Sequence, residues 1–123
     1  MALTKTNTVL LASTSVAAGL TKATASFTPW FSTSGNYRSA VRWMLTNGAA
    51  APGAVPILLV QTSPDNGTTI YDEYFVGGDT VANSINSGPI SIDDSTLFVR
   101  VGVYGHTTNP VTAQATLQAI TAL

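Results

Sequence analysis

From Tyr37 to Thr46 the side chains alternate with a period of two. Tyr37, Ser39, Val41, Trp43 and Leu45 fall on one side, and Arg38, Ala40, Arg42 and Met44 on the other. Successive side chains of an extended chain point to opposite faces, so this is the pattern of a half-buried β-strand. Asn47-Gly48 ends it, and the small-residue stretch Ala49 to Ala54 follows. The same unit, a short strand closed by Gly, Pro or Asn, recurs along the whole chain and leaves no room for a long amphipathic helix.

The recurring units predict further strands. Thr8 to Val16 stops before Ala18-Gly19, and Lys22 to Thr28 is closed by Pro29. Val55 to Thr62 is a continuous apolar run with Pro56 near its start, where a missing N–H is tolerated. Thr68 to Val76 pairs back onto it. Val81 to Ile85 is weaker, Ser87-Gly88-Pro89 breaks it, and Ile90 to Ile92 is short and edge-like. Thr96 to Tyr104 turns Leu97, Val99, Val101 and Val103 inward. In Val111 to Thr121 the residues Thr112, Gln114, Thr116 and Gln118 face out, and the β-branched threonines favour a strand over a helix. Together these predict an all-β fold: one antiparallel β-sandwich over residues 1–123, a jelly roll of about eight strands. The inward set is Val41, Trp43, Leu59, Val99, Val101 and Leu117.

A chain of 123 residues makes one domain with a self-supporting core. It has no cysteine, so disulfides and thiolate metal sites are excluded. Only 9% of its residues are Asp, Glu, Lys or Arg, against about 25% in an ordinary soluble domain. Its exterior is therefore built from Thr, Ser, Asn, Gln and Ala, which desolvate at far lower cost than ionised groups. Such a surface suits packing against copies of itself or a partner. Five basic side chains, scattered except for Arg38 and Arg42, give no patch for nucleic acid. The Val9 to Leu20 stretch is too short and too polar to span a bilayer, and the N-terminus resembles no export signal, so synthesis in a cytoplasm is expected.

The sharpest local pattern is Ser63-Pro64-Asp65-Asn66-Gly67-Thr68-Thr69-Ile70, which resembles the Asp-box turn of sialidases with Ile70 in place of the aromatic. Pro64 presets φ, the Asp65 carboxylate accepts backbone N–H groups and Gly67 supplies φ > 0, so a hairpin turn is expected at Pro64 to Gly67. Asp72 and Glu73 are adjacent on a strand and point to opposite faces, which excludes a converging carboxylate pair. Asp93-Asp94 precedes Ser95 in a turn, where the carboxylates either cap backbone donors or, with a loop carbonyl, make a weak calcium site. His106 is the only histidine and is read as a surface loop residue. No catalytic constellation is present, so the chain is read as a non-enzyme with no obligatory cofactor or metal.

Pro29-Trp30-Phe31 opens a polar loop that leads to Tyr37. These aromatics serve as interface anchors, close one end of the sandwich, or stack on sugar rings. With Leu3, the residues Trp30, Phe31 and Tyr37 are the candidate partner-interface set. The segment Met1 to Asn7 is read either as an arm that orders on a neighbour or as a first strand of its own sandwich.

Over Val55 to Ala119 the chain resembles small virion proteins of tailed bacteriophages. The resemblance rests on Gln61 to Thr69, Tyr71 to Phe75, Gly88-Pro89, Leu97 to Val101 and Val111 to Ala119. It implies a β-sandwich or jelly-roll capsid decoration (cement) protein on the outer surface of the head. The partners expected are the major capsid protein and copies of itself, as a dimer or trimer. The competing reading is a glycan-binding or other minor tail component.

Overall fold

The computed structural model describes residues 3–122. It is all-β, with nine strands: β1 (Thr4–Val16), β2 (Ser26–Phe27), β3 (Phe31–Ser32), β4 (Arg38–Asn47), β5 (Ile57–Ser63), β6 (Glu73–Gly77), β7 (Ile85–Ile92), β8 (Phe98–Tyr104) and β9 (Val111–Ala122). They form two antiparallel sheets. Sheet A runs β1-β9-β4-β7; sheet B runs β2-β8-β5-β6, with β3 also on β8. β2 and β3 meet β8 at Gly102–Val103 and Phe98–Val99, so they are two pieces of one interrupted strand. Counted so, eight strand positions alternate between the sheets, with β5–β6 the one hairpin that stays within a sheet. This is the jelly-roll arrangement that the spacing of strands and turns predicts.

The core lies between the sheets. Val41 and Leu45 of β4, Ile90 and Ile92 of β7, and Ala113, Ala115 and Leu117 of β9 face Leu58 and Val60 of β5 and Val99, Val101 and Val103 of β8. Trp43 is half-buried at the margin of this cluster. The alternation read from Tyr37–Thr46 and from the Thr/Gln face of β9 is the alternation observed, with Gln118 exposed beside buried Leu117.

Several expectations need correction. Leu59 is fully buried, but it sits on the opposite face of β5 from Leu58 and Val60, outside the inter-sheet core. It pairs with Gly102 and Phe75, and the ring of Phe27 lies on Gly102 beside it. Gly88-Pro89 does not break a strand, because β7 runs through both. Gly88 pairs with Trp43 and lies under its indole, and β7 is an edge strand on which proline's missing N–H is harmless. Leu97 is exposed rather than inward, because it precedes the first residue of β8. β6 begins at Glu73 and not at Thr68, so Pro64 to Gly67 opens a longer β5–β6 connection. β1 begins at Thr4, and Thr6 and Asn7 pair with Ala119 and Gln118 of the same chain. The segment weighed as an arm is therefore, over residues 4–7, a strand of its own sheet; Met1 and Ala2 lie outside the described residues.

The two ends of the sandwich are fastened differently. At the upper end, His106 is fully buried, and its Nε2 donates to Val16 O at 2.9 Å. A carbonyl only accepts, so Nε2 carries the proton, and Nδ1 is buried with no partner among the described residues. His106 is thus part of the interior, not a surface residue. Thr107 and Thr108 both donate their N–H to Pro52 O, and Asn109 Nδ2 donates to Ala51 O, which clamps the small-residue loop before β5. On the same end Asp79 gathers donors from Val81 N, Ser84 Oγ, Asn86 Nδ2 and Asn47 Nδ2. At the lower end lie the loops after β3, β5 and β7.

Two outcomes are expected. A Cβ on Gly102 would come within 2.5 Å of Phe27 Cε1, whereas one on Gly35 meets nothing within 4 Å. Gly102→Ala should cost about 1–3 kcal/mol of unfolding free energy and Gly35→Ala within about 0.5 kcal/mol, both read from denaturant melts. Hydrogen bonds from Ser84, Asn86 and Val81 hold the Asp79 carboxyl below its ordinary value. A depressed folded value stabilises fully above the unfolded value of about 3.9 and is lost as pH falls through the folded one. Asp79→Asn should lower the Tm at pH 7 and reduce the further loss of Tm between pH 5 and pH 2.

Candidate functional site

The two outer faces differ in what covers them. Sheet B is overlaid by the segment between β1 and β3, which is held by a stack of rings on Arg100. Because Val99 and Val101 face the core, Arg100 faces out. Its guanidinium lies 3.8 Å from the Phe27 ring centre and 4.6 Å from that of Trp30. Its Nε donates to Gln61 Oε1 at 2.7 Å, Gln61 Nε2 donates to Glu73 Oε2 at 2.8 Å, and Lys22 Nζ donates to Glu73 Oε1 at 2.9 Å. Lys22 also lies 5.3 Å from the centre of the Phe75 ring. Lys22–Glu73 is the one ion pair among the described residues. The bond from Gln61, and then the bond and charge of Lys22, hold the Glu73 carboxyl below the usual range. Burial pulls the Arg100 guanidinium down, though it remains a cation.

Trp30 also braces the β5–β6 connection. Its indole Nε1 sits against Gly67, where a Cβ would collide, and Gly67 has φ of 98°. Within that turn Ser63 Oγ accepts from Gly67 N at 2.8 Å, and Asp65 Oδ1 accepts from Thr69 N at 2.7 Å. The Thr69 bond is the largest cause that lowers the Asp65 carboxyl. The Asp-box-like residues therefore make the turn that their chemistry predicts.

The four candidate interface residues do not converge. Trp30 is half-buried in the stack just described, and Phe31 packs against the core cluster. Leu3 is 52% exposed and Tyr37 55% exposed, both at the lower end, where Tyr37 N donates to Ile120 O. Asp93 accepts from Ser95 N and Ser95 Oγ, which caps its turn and lowers its carboxyl. Among the described residues no group of three or more His, Cys, Asp or Glu is placed to hold a metal ion. Nearby, burial raises the Tyr74 hydroxyl, and the negative charges of Asp72 and Asp93 raise it further.

The outer face of sheet A is the candidate interaction surface. Its cross-strand rows follow from the register. Lys5, Ile120 and Arg38 form one row; Asn7, Gln118, Ala40 and Ser91 the next; Val9, Thr116, Arg42 and Pro89 the third. The first two rows floor a groove of about 680 Å³ at the lower end of the sheet, with Asp94 on its rim. Thus Lys5, Arg38 and Arg42, the cations not engaged on sheet B, all stand on one face. Sequence reasoning located the outward alternation of β4 and β9. It missed the groove, which depends on the pairing of β1 with β9 and β9 with β4, far apart in sequence.

No family model matches the chain, and no curated protein does. Among solved structures, a chain of infectious bursal disease virus, Gx strain, is similar with a TM-score of 0.51 and 13% identity; the match covers 94% of this chain. This chain spans about a third, 31%, of the length of that viral one. A chain from Bacillus endospore appendages, described as a novel family of disulfide-linked pili, is similar with a TM-score of 0.51 and 14% identity. That match covers 100% of this chain and 93% of the other. Both likenesses are likenesses of fold, and they agree with a β-sandwich.

The Arg100 stack generates a prediction. Lysine keeps the charge but loses the planar group that lies on two rings and the fixed donor to Gln61. Arg100→Lys is expected to cost about 1–2 kcal/mol in denaturant unfolding, with increased amide exchange over residues 22–31. Wild-type stability and exchange in the variant would show that the stack does not hold the segment down.

Proposed function

We propose that this chain is a non-enzymatic structural protein of a tailed-phage virion: a decoration (cement) protein on the outer surface of the head, bound to the major capsid protein. The observation that carries this reading is the uncovered outer face of sheet A, a four-stranded surface whose Thr, Gln, Ser, Asn and Ala side chains are interspersed with Val9, Ile120 and Pro89 and with three cations, Lys5, Arg38 and Arg42. Covering its neutral polar rows removes little hydration energy, so area provides attachment once the three cations meet acceptors on the partner. A task of holding a lattice together needs area and no chemistry. Repeated contacts on a lattice then multiply through effective concentration.

Two further points support it. The strand and turn pattern over Val55 to Ala119 resembles small tailed-phage virion proteins, and the fold is shared with a chain of a virus and a chain of a pilus. The pilus is described as disulfide-linked, and this chain has no cysteine with which to make such a link. The glycan-binding alternative rests on Trp30, Phe31 and Tyr37; of these the Trp30 ring is engaged with Arg100 and Gly67 and Phe31 packs on the core, which leaves Tyr37 alone exposed.

The test is attachment to capsids. Purified protein added to heads that lack it should co-sediment and saturate at a stoichiometry set by the capsid subunits, and it should raise the temperature at which heads rupture. Saturation at a few copies per particle, or glycan-array binding that is lost in Trp30→Ala, would overturn the decoration reading in favour of a tail component.

A further inference from the structure

We propose that the groove on sheet A is the contact with a second copy of this chain, arranged about a two-fold axis so that Lys5 and Arg38 of each copy face Asp94 of the other. The proposal deepens the assembly reading, on which it rests for its setting, by giving the groove at the lower end to a second copy and leaving the rows from Val9, Thr116, Arg42 and Pro89 upward for the capsid.

The charges lead to it. Of the cations, Lys22 is paired with Glu73, and Arg100 is stacked on rings and bonded to Gln61. Of the carboxylates, Asp79 is saturated by the donors around it, and Asp65 and Asp93 cap their own turns. Lys5, Arg38, Arg42, Asp72 and Asp94 remain, and of these Lys5, Arg38 and Asp94, all exposed, line one groove. Opposite charges share that rim, yet neither cation forms an ion pair with Asp94 among the described residues.

A rim of mixed sign selects its occupant. Asp94 opposes a small anion or a uniformly acidic partner, and Lys5 and Arg38 oppose a cation. What fits is a surface with the same charges in reversed order, and a half-turn of this same rim supplies it. A two-fold contact is isologous: each residue pairing made once is made twice. Ile120 separates Lys5 from Arg38, and the next row of the floor is Asn7, Gln118, Ala40 and Ser91, small or amide-bearing groups that can pack against a copy of themselves. The side-chain amides of Asn7 and Gln118 make no hydrogen bond among the described residues and are free to bond across the axis.

Sedimentation equilibrium of the full chain provides the test. The wild type is expected to dimerise reversibly, and less tightly as salt rises. Arg38→Glu and Asp94→Lys should each weaken dimerisation at least about tenfold. Both residues are exposed, so thermal melts should confirm that each variant is folded. An equimolar mixture of the two variants should recover the association: Glu at 38 meets Lys at 94 on one side of the axis, and the native pair forms on the other. A wild type that stays monomeric at every concentration overturns the proposal. So does a dimer indifferent to both substitutions, or a mixture that does not recover. The two readings fail separately. A monomer that still decorates heads overturns this contact alone, and a dimer of the predicted kind that never binds heads overturns the decoration reading alone.

Discussion

A sandwich of two sheets has two inner faces that must be dry and two outer faces that need not be, and in this chain the Arg100 stack decides which outer face stays open. The guanidinium is held over the Phe27 and Trp30 rings and fixed at its Nε by Gln61. Those rings belong to the segment that joins β1 to β4, so the stack ties the segment across sheet B. Under it Leu59 is fully buried although it faces away from the core, and Gly102 is the one residue type that leaves room for the Phe27 ring. Trp30 carries the same tie to the β5–β6 turn through Gly67. Among the described residues nothing comparable crosses sheet A, whose outer rows stand uncovered. The asymmetry between a wrapped face and a bare one is thus built by a handful of contacts around a single cation.

The parts of this arrangement legible in the sequence are those that depend on neighbours along the chain. The period of two in β4 and β9 is a local consequence of extended geometry, and it placed Val41, Leu45 and Leu117 in the core and Arg38, Arg42 and Gln118 outside. The Ser63 to Thr69 turn was legible for the same reason, since each of its bonds spans four residues or fewer. The misread elements all depend on distant partners. Gly88-Pro89 has the composition of a break, but Trp43 lies opposite and the strand is at an edge, so both residues are accommodated. His106 sits among turn residues, yet it is drawn inside by a carbonyl ninety positions away in the chain. The side-chain alternation of β5 is masked by its continuous apolar run, because its outward face is covered as well; hence Leu59 was assigned to the wrong layer.

The candidate surface shows the same division. Outward-facing positions on β4 and β9 follow from periodicity, but Lys5 joins Arg38 only because β9 lies between β1 and β4 and brings Ile120 between them. The aromatics that looked like anchors were drawn into the fold instead. Trp30 and Phe31 have partners within the chain, and among the candidate set Leu3 and Tyr37 retain substantial exposure.

Scarcity of charge gives each remaining charge more weight. With 9% charged residues, a surface presents little general repulsion to hold copies apart, and a few unpaired groups set the orientation of any contact that forms. The neutral positions of the open face supply area with little directional preference, since one Thr or Gln packs much like another. Direction must then come from the charges that the fold does not use, and three of these, Lys5, Arg38 and Asp94, line one groove at an end of the open face. A chain with ordinary charge density would dilute such a signal among many surface pairs, each contributing little. Here the low charge and the uncovered sheet act jointly: the first makes contact inexpensive in desolvation, and the second gives it a shape and a polarity.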